Sequence, residues 1–244
     1  MGEEMDKKYT IKYLGHSAFL VTTQKYYLFF DYVGTVKKNM RKNLEEEFID
    51  FENYKDKKII MFYSHNHFDH YNKELHEKTQ KYENIISVLG DIKSDLENTI
   101  TIKPRETKHI DDITIHAGAS TDLGVCYLIN IDGFTIYHGG DNAAWDDVEE
   151  MQKKYYREIN YIASFGLNIN IAFIPICKFT GRRPKWITEG AIYLVKVFNP
   201  DVVVPMHSAG KEDLYNKFYI DALEEGCNNK VICMEKLGQE YSNC

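Results

Sequence analysis

Through the first half of the chain, apolar and aromatic positions gather in short runs broken by polar pairs, the pattern of β-strands and tight connections. Ile11 to Thr22 and Tyr26 to Asp31 are two such runs, and the polar Thr22-Thr23-Gln24-Lys25 between them predicts an opening hairpin. Lys42 to Tyr54 sets Leu44, Phe48 and Phe51 on one face of a short helix, and Lys58 to Tyr63 returns to strand composition. Asn72 is a suitable N-cap for a helix to Tyr82, after which Ile85 to Leu89, Thr99 to Lys103 and Ile113 to Ala117 read as short strands. Val125 to Ile131 and Phe134 to His138 flank Asp132-Gly133, whose tolerance of positive φ predicts a tight hairpin, and a second sheet is expected to begin near here. The remainder alternates: helix from Trp145 to Ser164, strand from Ile169 to Ile176, helix from Thr188 to Phe198, strand from Asp201 to Met206, helix from Asp213 to Glu225, strand from Lys230 to Met234. Strands with helices laid over them imply layered α and β structure rather than a barrel of hairpins.

Composition narrows this picture. No linker, repeat or low-complexity tract interrupts the 244 residues, so one domain over residues 1–244 is expected, and 43% apolar residues suffice for its core. A net charge of -7 argues against a nucleic-acid partner, because affinity for that backbone comes largely from Lys and Arg. The N-terminus lacks the apolar centre of a signal peptide, and no stretch approaches the roughly 18 apolar residues of a membrane span, so a cytoplasmic protein without a membrane partner is expected. Cys126, Cys177, Cys227, Cys233 and Cys244 are odd in number and form no CxxC pair, which argues against both disulfides and a thiolate zinc site.

The chemistry concentrates in His65-Asn66-His67-Phe68-Asp69-His70, directly after an apolar strand. Alternation points His65 and His67 the same way, and Asp69 and His70 can face the same cavity where the chain turns. Imidazole with carboxylate suits divalent zinc, iron or manganese.

This hexamer resembles the HxHxDH signature of the metallo-β-lactamase superfamily. Tyr13-Leu14-Gly15-His16-Ser17, Phe29-Phe30-Asp31, Ile136-Tyr137-His138-Gly139-Gly140-Asp141 and Val204-Pro205-Met206-His207 extend the resemblance in order along most of the chain, and look like the subgroup that includes ascorbate-6-phosphate lactonase. The resemblance implies an α+β fold, a four-layer αββα sandwich with the metals at one edge between the sheets. It implies His65 and His67 as ligands of a first metal, Asp69, His70 and His207 as ligands of a second, and Asp141 as the bridge. The family's third histidine of the first site is absent. Ser120-Thr121-Asp122 stands in its place, Asp122 is the expected substitute, and His116 is read as an ordinary strand residue. Asp31, His16 and His138 are candidates to orient the ligands from behind, Asp31 foremost.

The implied cofactor is one or two divalent ions, zinc first, with manganese or iron as alternatives. The implied activity is hydrolysis by metal-bound hydroxide of an ester, lactone or phosphodiester bond in a small molecule, with Asp69 as the catalytic carboxylate that orients the hydroxide. The basic segment from Lys178 to Lys185 could meet an anionic group of such a substrate. The alternative is a metal-binding or sensing protein with a degenerate first site and little catalysis. A nuclease fits less well, because only 66 positions separate Asp141 from His207, too few for an inserted nucleic-acid-gripping domain.

Overall fold

A computed structural model describes residues 8–34, 49–145, 148–177, 184–208 and 210–243. In chain order its strands are β1 (Tyr9–Gly15), β2 (Ala18–Thr22), β3 (Tyr26–Phe30), β4 (Lys58–Tyr63), β5 (Ile85–Gly90), β6 (Thr99–Ile102), β7 (Thr107–Ile110), β8 (Ile113–Ala119), β9 (Val125–Ile131), β10 (Phe134–His138), β11 (Ile171–Pro175), β12 (Val202–Met206), β13 (Lys230–Val231) and β14 (Glu240–Asn243). The α-helices are α1 (Lys73–Thr79), α2 (Glu149–Ala163), α3 (Pro184–Phe198) and α4 (Asp213–Glu224). They form two seven-stranded sheets, ordered β14-β1-β2-β3-β4-β5-β6 and β13-β12-β11-β10-β9-β8-β7.

Alternation decides which side chains meet between the sheets. Tyr9, Ile11 and Tyr13 point inward from β1, as Ile113, Ile115 and Ala117 do from β8. Phe19, Phe30 and Phe62 of the first sheet pack with Tyr127, Phe173 and Val204 of the second, and burying an aromatic side chain of this size contributes about 1.5–3 kcal/mol. Central strands such as β4, β11 and β12 are buried on both faces, which explains their unbroken apolar sequences. Outside the second sheet, Ile159 of α2, Leu194 of α3 and Phe218 of α4 cover Leu128, Ala172 and Val203. Outside the first, Leu75 of α1 and Phe51 of a one-turn 3-10 helix cover Leu20, Phe29, Met61 and Leu89. The four layers are those of an αββα sandwich.

Several expectations need correcting. The run from Ile11 to Thr22 is two strands, because the chain reverses at Gly15 and His16, both with positive φ (107° and 55°). The second sheet begins at β7 rather than near Val125, and β7 and β14, both polar edge strands, went unread. Helix α2 begins at Glu149 instead of Trp145, and α3 begins four residues earlier than Thr188, at Pro184. Of the helix expected over 42–54, residues 42–48 lie outside the described residues, and Phe51–Tyr54 forms the 3-10 turn. Residues 178–183 of the basic segment also lie outside them. Other elements stand as expected: Asn72 caps α1 by accepting from the Leu75 amide, and Asp132-Gly133 turns with both φ positive (49° and 78°). Cys126, Cys177, Cys227 and Cys233 are free thiols, and Cys244 is outside the described residues. Among the described residues, no helix is long and apolar enough to cross a membrane.

Candidate metal centre

Strands β3, β4 and β5 run parallel, as do β10, β11 and β12, so the segments following β3, β4, β10 and β12 leave the sheets at one edge. The carboxyl ends of parallel strands are where open α/β sheets place their ligands. Antiparallel neighbours bring the turn before β2 and the loop after β8 to the same edge. Contacts between the sheets then close the site: the Val125 amide donates to Ser64 O (3.0 Å) and the His207 amide to His16 O (3.2 Å). Gly124 permits the closest approach. Its φ is +65°, and a Cβ there would lie 2.1 Å from Ser64 O.

Seven residues predicted from the sequence converge here, joined by His16, in two groups of four. Within each group the candidate ligand atoms lie within 4.8 Å of one another: His65, His67, Asp122 and Asp141 in the first, His16, Asp69, His70 and His207 in the second. Asp141 faces both. Its Oδ1 is 3.1 Å from His70 Nε2 and 2.9 Å from His207 Nε2, while its Oδ2 is 3.5 Å from His65 Nε2. The carboxylate therefore stands between the groups.

Two stapled loops hold the carboxylates of the first group. The Thr121 hydroxyl donates to Ala143 O (2.7 Å) and accepts from the Ala143 amide (3.0 Å), while the Thr121 amide donates to Asn142 Oδ1 (3.2 Å). The buried Trp145 indole donates to Asp141 O (2.9 Å). The first group is open nonetheless: the His67 and Asp122 side chains are 40% and 43% exposed, and Asp122 Oδ2 is 3.7 Å from His67 Nδ1. Of the second group, His70 and His207 are buried and His16 and Asp69 partly so.

Behind both groups sits Asp31, at the end of β3. Its Oδ1 accepts from the Ser64 amide (2.7 Å), and its Oδ2 accepts from Ser64 Oγ (2.8 Å) and His70 Nδ1 (2.7 Å). Ser64 Oγ, with its proton given to Asp31, accepts from His65 Nδ1 at 2.9 Å. One carboxylate thus fixes the tautomers of two histidines and turns both Nε2 atoms toward the cavity. His138 does a different job: Nε2 donates to Ser17 O (3.2 Å) and Nδ1 accepts from the Gly140 amide (3.2 Å), tying the turn at His16 to the loop of Asp141.

Charge follows from this arrangement. Burial would push the Asp31 carboxyl up, but His70 beside it leaves it below its ordinary value. Burial likewise opposes ionisation of Asp141, and His207 and His70 outweigh it, holding that carboxyl well below the usual range. Burial disfavours a charged His70, yet Asp141 and Asp31 lift it well above the ordinary imidazole value. Burial, reinforced by His207, pushes His16 down to about 3, and burial with His70 alongside pushes His65 down to about 4.

The residues fit a divalent ion. His16 Nε2, His70 Nε2 and Asp141 Oδ1 are buried without a hydrogen bond of acceptable geometry, although each lies close to another candidate ligand. Unpaired buried polar atoms are costly unless something else binds them, and imidazole nitrogens with carboxylate oxygens are a donor set for zinc, iron or manganese. His16, Asp31 and His207 also hold left-handed backbone (φ 55°, 43° and 66°), which costs roughly 1–2 kcal/mol for a residue bearing a Cβ. Sequence reasoning placed His16 behind the ligands, whereas it stands in the second group of candidate ligands. Its only signal was position, after Gly15 in the resemblance. His116 stays away on β8, its Nδ1 2.8 Å from Thr107 Oγ1 and its ring stacked on Phe165.

Residues 10–207 match the family described as the beta-lactamase superfamily domain, and the chain belongs to that family. A UPF0173 metal-dependent hydrolase of Methanosarcina mazei is 26% identical over 92% of this chain and 94% of its own length. Among solved structures, Igni18, a metallo hydrolase of the archaeon Ignicoccus hospitalis, superposes with a TM-score of 0.65 at 21% identity, covering 96% of this chain and 98% of that one. The metallo-β-lactamase fold protein YhfI of Bacillus subtilis gives 0.60 at 12% identity, covering 97% and 99%. The two structures share the fold.

Two outcomes follow from the charge network. Asp31→Asn keeps the side-chain shape and tolerates the left-handed backbone, but removes the charge behind His70, so metal affinity should fall about 10- to 100-fold with the thermal melt still cooperative. Chelator competition measures it, and unchanged affinity would reduce Asp31 to a structural carboxylate. Because His70 holds a proton well above pH 6.5, a metal must displace it, whereas the depressed His16 and His65 carry none at neutral pH. Zn²⁺ binding near pH 7 should release about one proton from this residue, and affinity should rise as pH is raised through neutrality. Calorimetry in buffers of different ionisation enthalpy reads the count, and zero protons released would refute a charged His70.

Proposed function

We propose that the protein is a metal-dependent hydrolase that cleaves an ester, lactone or phosphodiester bond in a small molecule. The observation that carries this reading is the placement of Asp141, with one oxygen toward His70 and His207 and the other toward His65. A divalent ion held there would supply Lewis acidity, which lowers the pKa of water from 15.7 to about 7 and polarises the bond attacked.

The chain's own residues supply the rest. His65, His67, Asp122 and Asp141 would hold a first ion, and His16, Asp69, His70 and His207, with Asp141 between, a second. Burial would raise the Asp69 carboxyl, but the His16 imidazole, 3.2 Å from its Oδ2, leads the groups that hold it far below its usual range. Asp69 is therefore ionised at neutral pH, and being partly exposed it is the carboxylate available to accept a hydrogen bond from an attacking water and fix its orientation. Hydrolysis of a lactone rests on the resemblance of the Tyr13 to Ser17, Phe29 to Asp31, Ile136 to Asp141 and Val204 to His207 segments to the lactonase subgroup. The exposure of His67 and Asp122 favours one other reading, a sensor whose first group binds metal too loosely for catalysis.

Protein loaded with Mn²⁺ or Zn²⁺ and offered nitrophenyl esters, small lactones and bis(nitrophenyl) phosphate separates the two. A hydrolase turns over at least one class, loses that activity to a chelator, regains it with metal, and loses roughly 100-fold or more on Asp141→Asn. Stoichiometric metal with no turnover in any class would favour the sensor.

A further inference from the structure

Phe68 and Leu123 are 69% and 51% exposed, unlike the buried aromatic and aliphatic residues behind the site. The other exposed large apolar side chains among the described residues are Val148, next to α2, and Tyr219, Ile220 and Leu223 of α4. Only this pair sits beside candidate ligands. Phe68 lies between His67 and Asp69, and Leu123 follows Asp122. Since His67 Nδ1 and Asp122 Oδ2 approach to 3.7 Å, the residues that carry these two exposed apolar side chains are the chain neighbours of the exposed members of the first group.

Their backbone is fixed. The His70 and Tyr71 amides both donate to His67 O, at 3.0 and 2.8 Å, closing the turn beneath Phe68. Leu123 is held from both sides: the Asp122 amide donates to Ser120 Oγ (3.1 Å), the Ser120 amide to Gly124 O (3.2 Å), and Gly124 is pressed against Ser64 and His65. A pre-set apolar rim around a polar centre is the usual composition of a small-molecule site, in which a few polar groups orient and apolar surface binds. Exposed apolar surface gains free energy when covered, roughly in proportion to the area removed from water.

We infer that Phe68 and Leu123 form a recognition rim, and that the substrate carries an uncharged alkyl or aryl group beside the bond to be cleaved. This rests on the metal-hydrolase reading. The polar donors would take the scissile group while the rim covers its apolar neighbour, and a substrate charged on both sides of that bond would leave the rim wet.

The test uses metal-loaded protein and two hydroxamates, acetohydroxamate and octanohydroxamate, which share a metal-binding head and differ in apolar length. Calorimetric titration should show octanohydroxamate binding about tenfold or more tightly. Phe68→Ser combined with Leu123→Ser should shrink that ratio to about twofold or less with metal content unchanged, while Phe68→Leu should retain most of it. Equal affinity for the two probes in the parent protein, or a preference that survives the double substitution, would overturn the rim alone. Failure of both probes to bind metal-loaded protein would overturn the reading of the centre, and the rim with it.

Discussion

A carboxylate buried at the end of β3 sets the constraint that everything else in the site obeys. Asp31 cannot remain ionised in that place unless its oxygens are filled, and Ser64 and His70 fill them. Meeting that demand fixes the chain immediately after β4, turns the Nε2 atoms of His65 and His70 into the cavity, and leaves them facing Asp141 across the seam between the sheets. The sandwich serves this arrangement by bringing four parallel-strand ends to one edge, where loops from the second sheet press on Ser64 through Gly124 and Gly140.

Much of this was readable from residue order. Inward alternation in β1 and β8, unbroken apolar runs in β4, β11 and β12, the Asp132-Gly133 turn and the Asn72 cap all express local rules, and local rules survive in a sequence. The His65 to His70 cluster was legible because its residues are neighbours in the chain. What stayed hidden depends on distance along the chain. The inclusion of His16 requires the turn before β2 to meet the end of β12, a contact made by the His207 amide with His16 O. That turn was itself concealed, since Gly15 and His16 interrupt what reads as one continuous apolar run. β7 and β14 were missed for a simpler reason: as edge strands they carry Thr, Lys, Glu and Ser, and their pairing is backbone to backbone.

The two groups of candidate ligands differ in kind. The second is largely enclosed, backed by Asp31 through His70, and gathered on strained left-handed backbone at His16 and His207 that the surrounding packing must hold in place. The first includes Asp122, an oxygen where the resemblance implies a nitrogen, and His67, and both side chains stand partly in water. Openness has a use on the hydrolase reading, since a substrate must enter somewhere, and the exposed side chains of Phe68 and Leu123 follow these two candidate ligands in the chain.

One shared carboxylate, Asp141, would divide a tight buried site from a loose open one. Calorimetric titration of the metal-free protein with Zn²⁺ addresses it directly, with His207→Ala and Asp122→Ala as companions. Two distinct affinities are expected in the parent protein, the tighter lost in His207→Ala and the weaker lost in Asp122→Ala. A single class of equal sites, or a weaker site indifferent to Asp122→Ala, would contradict it.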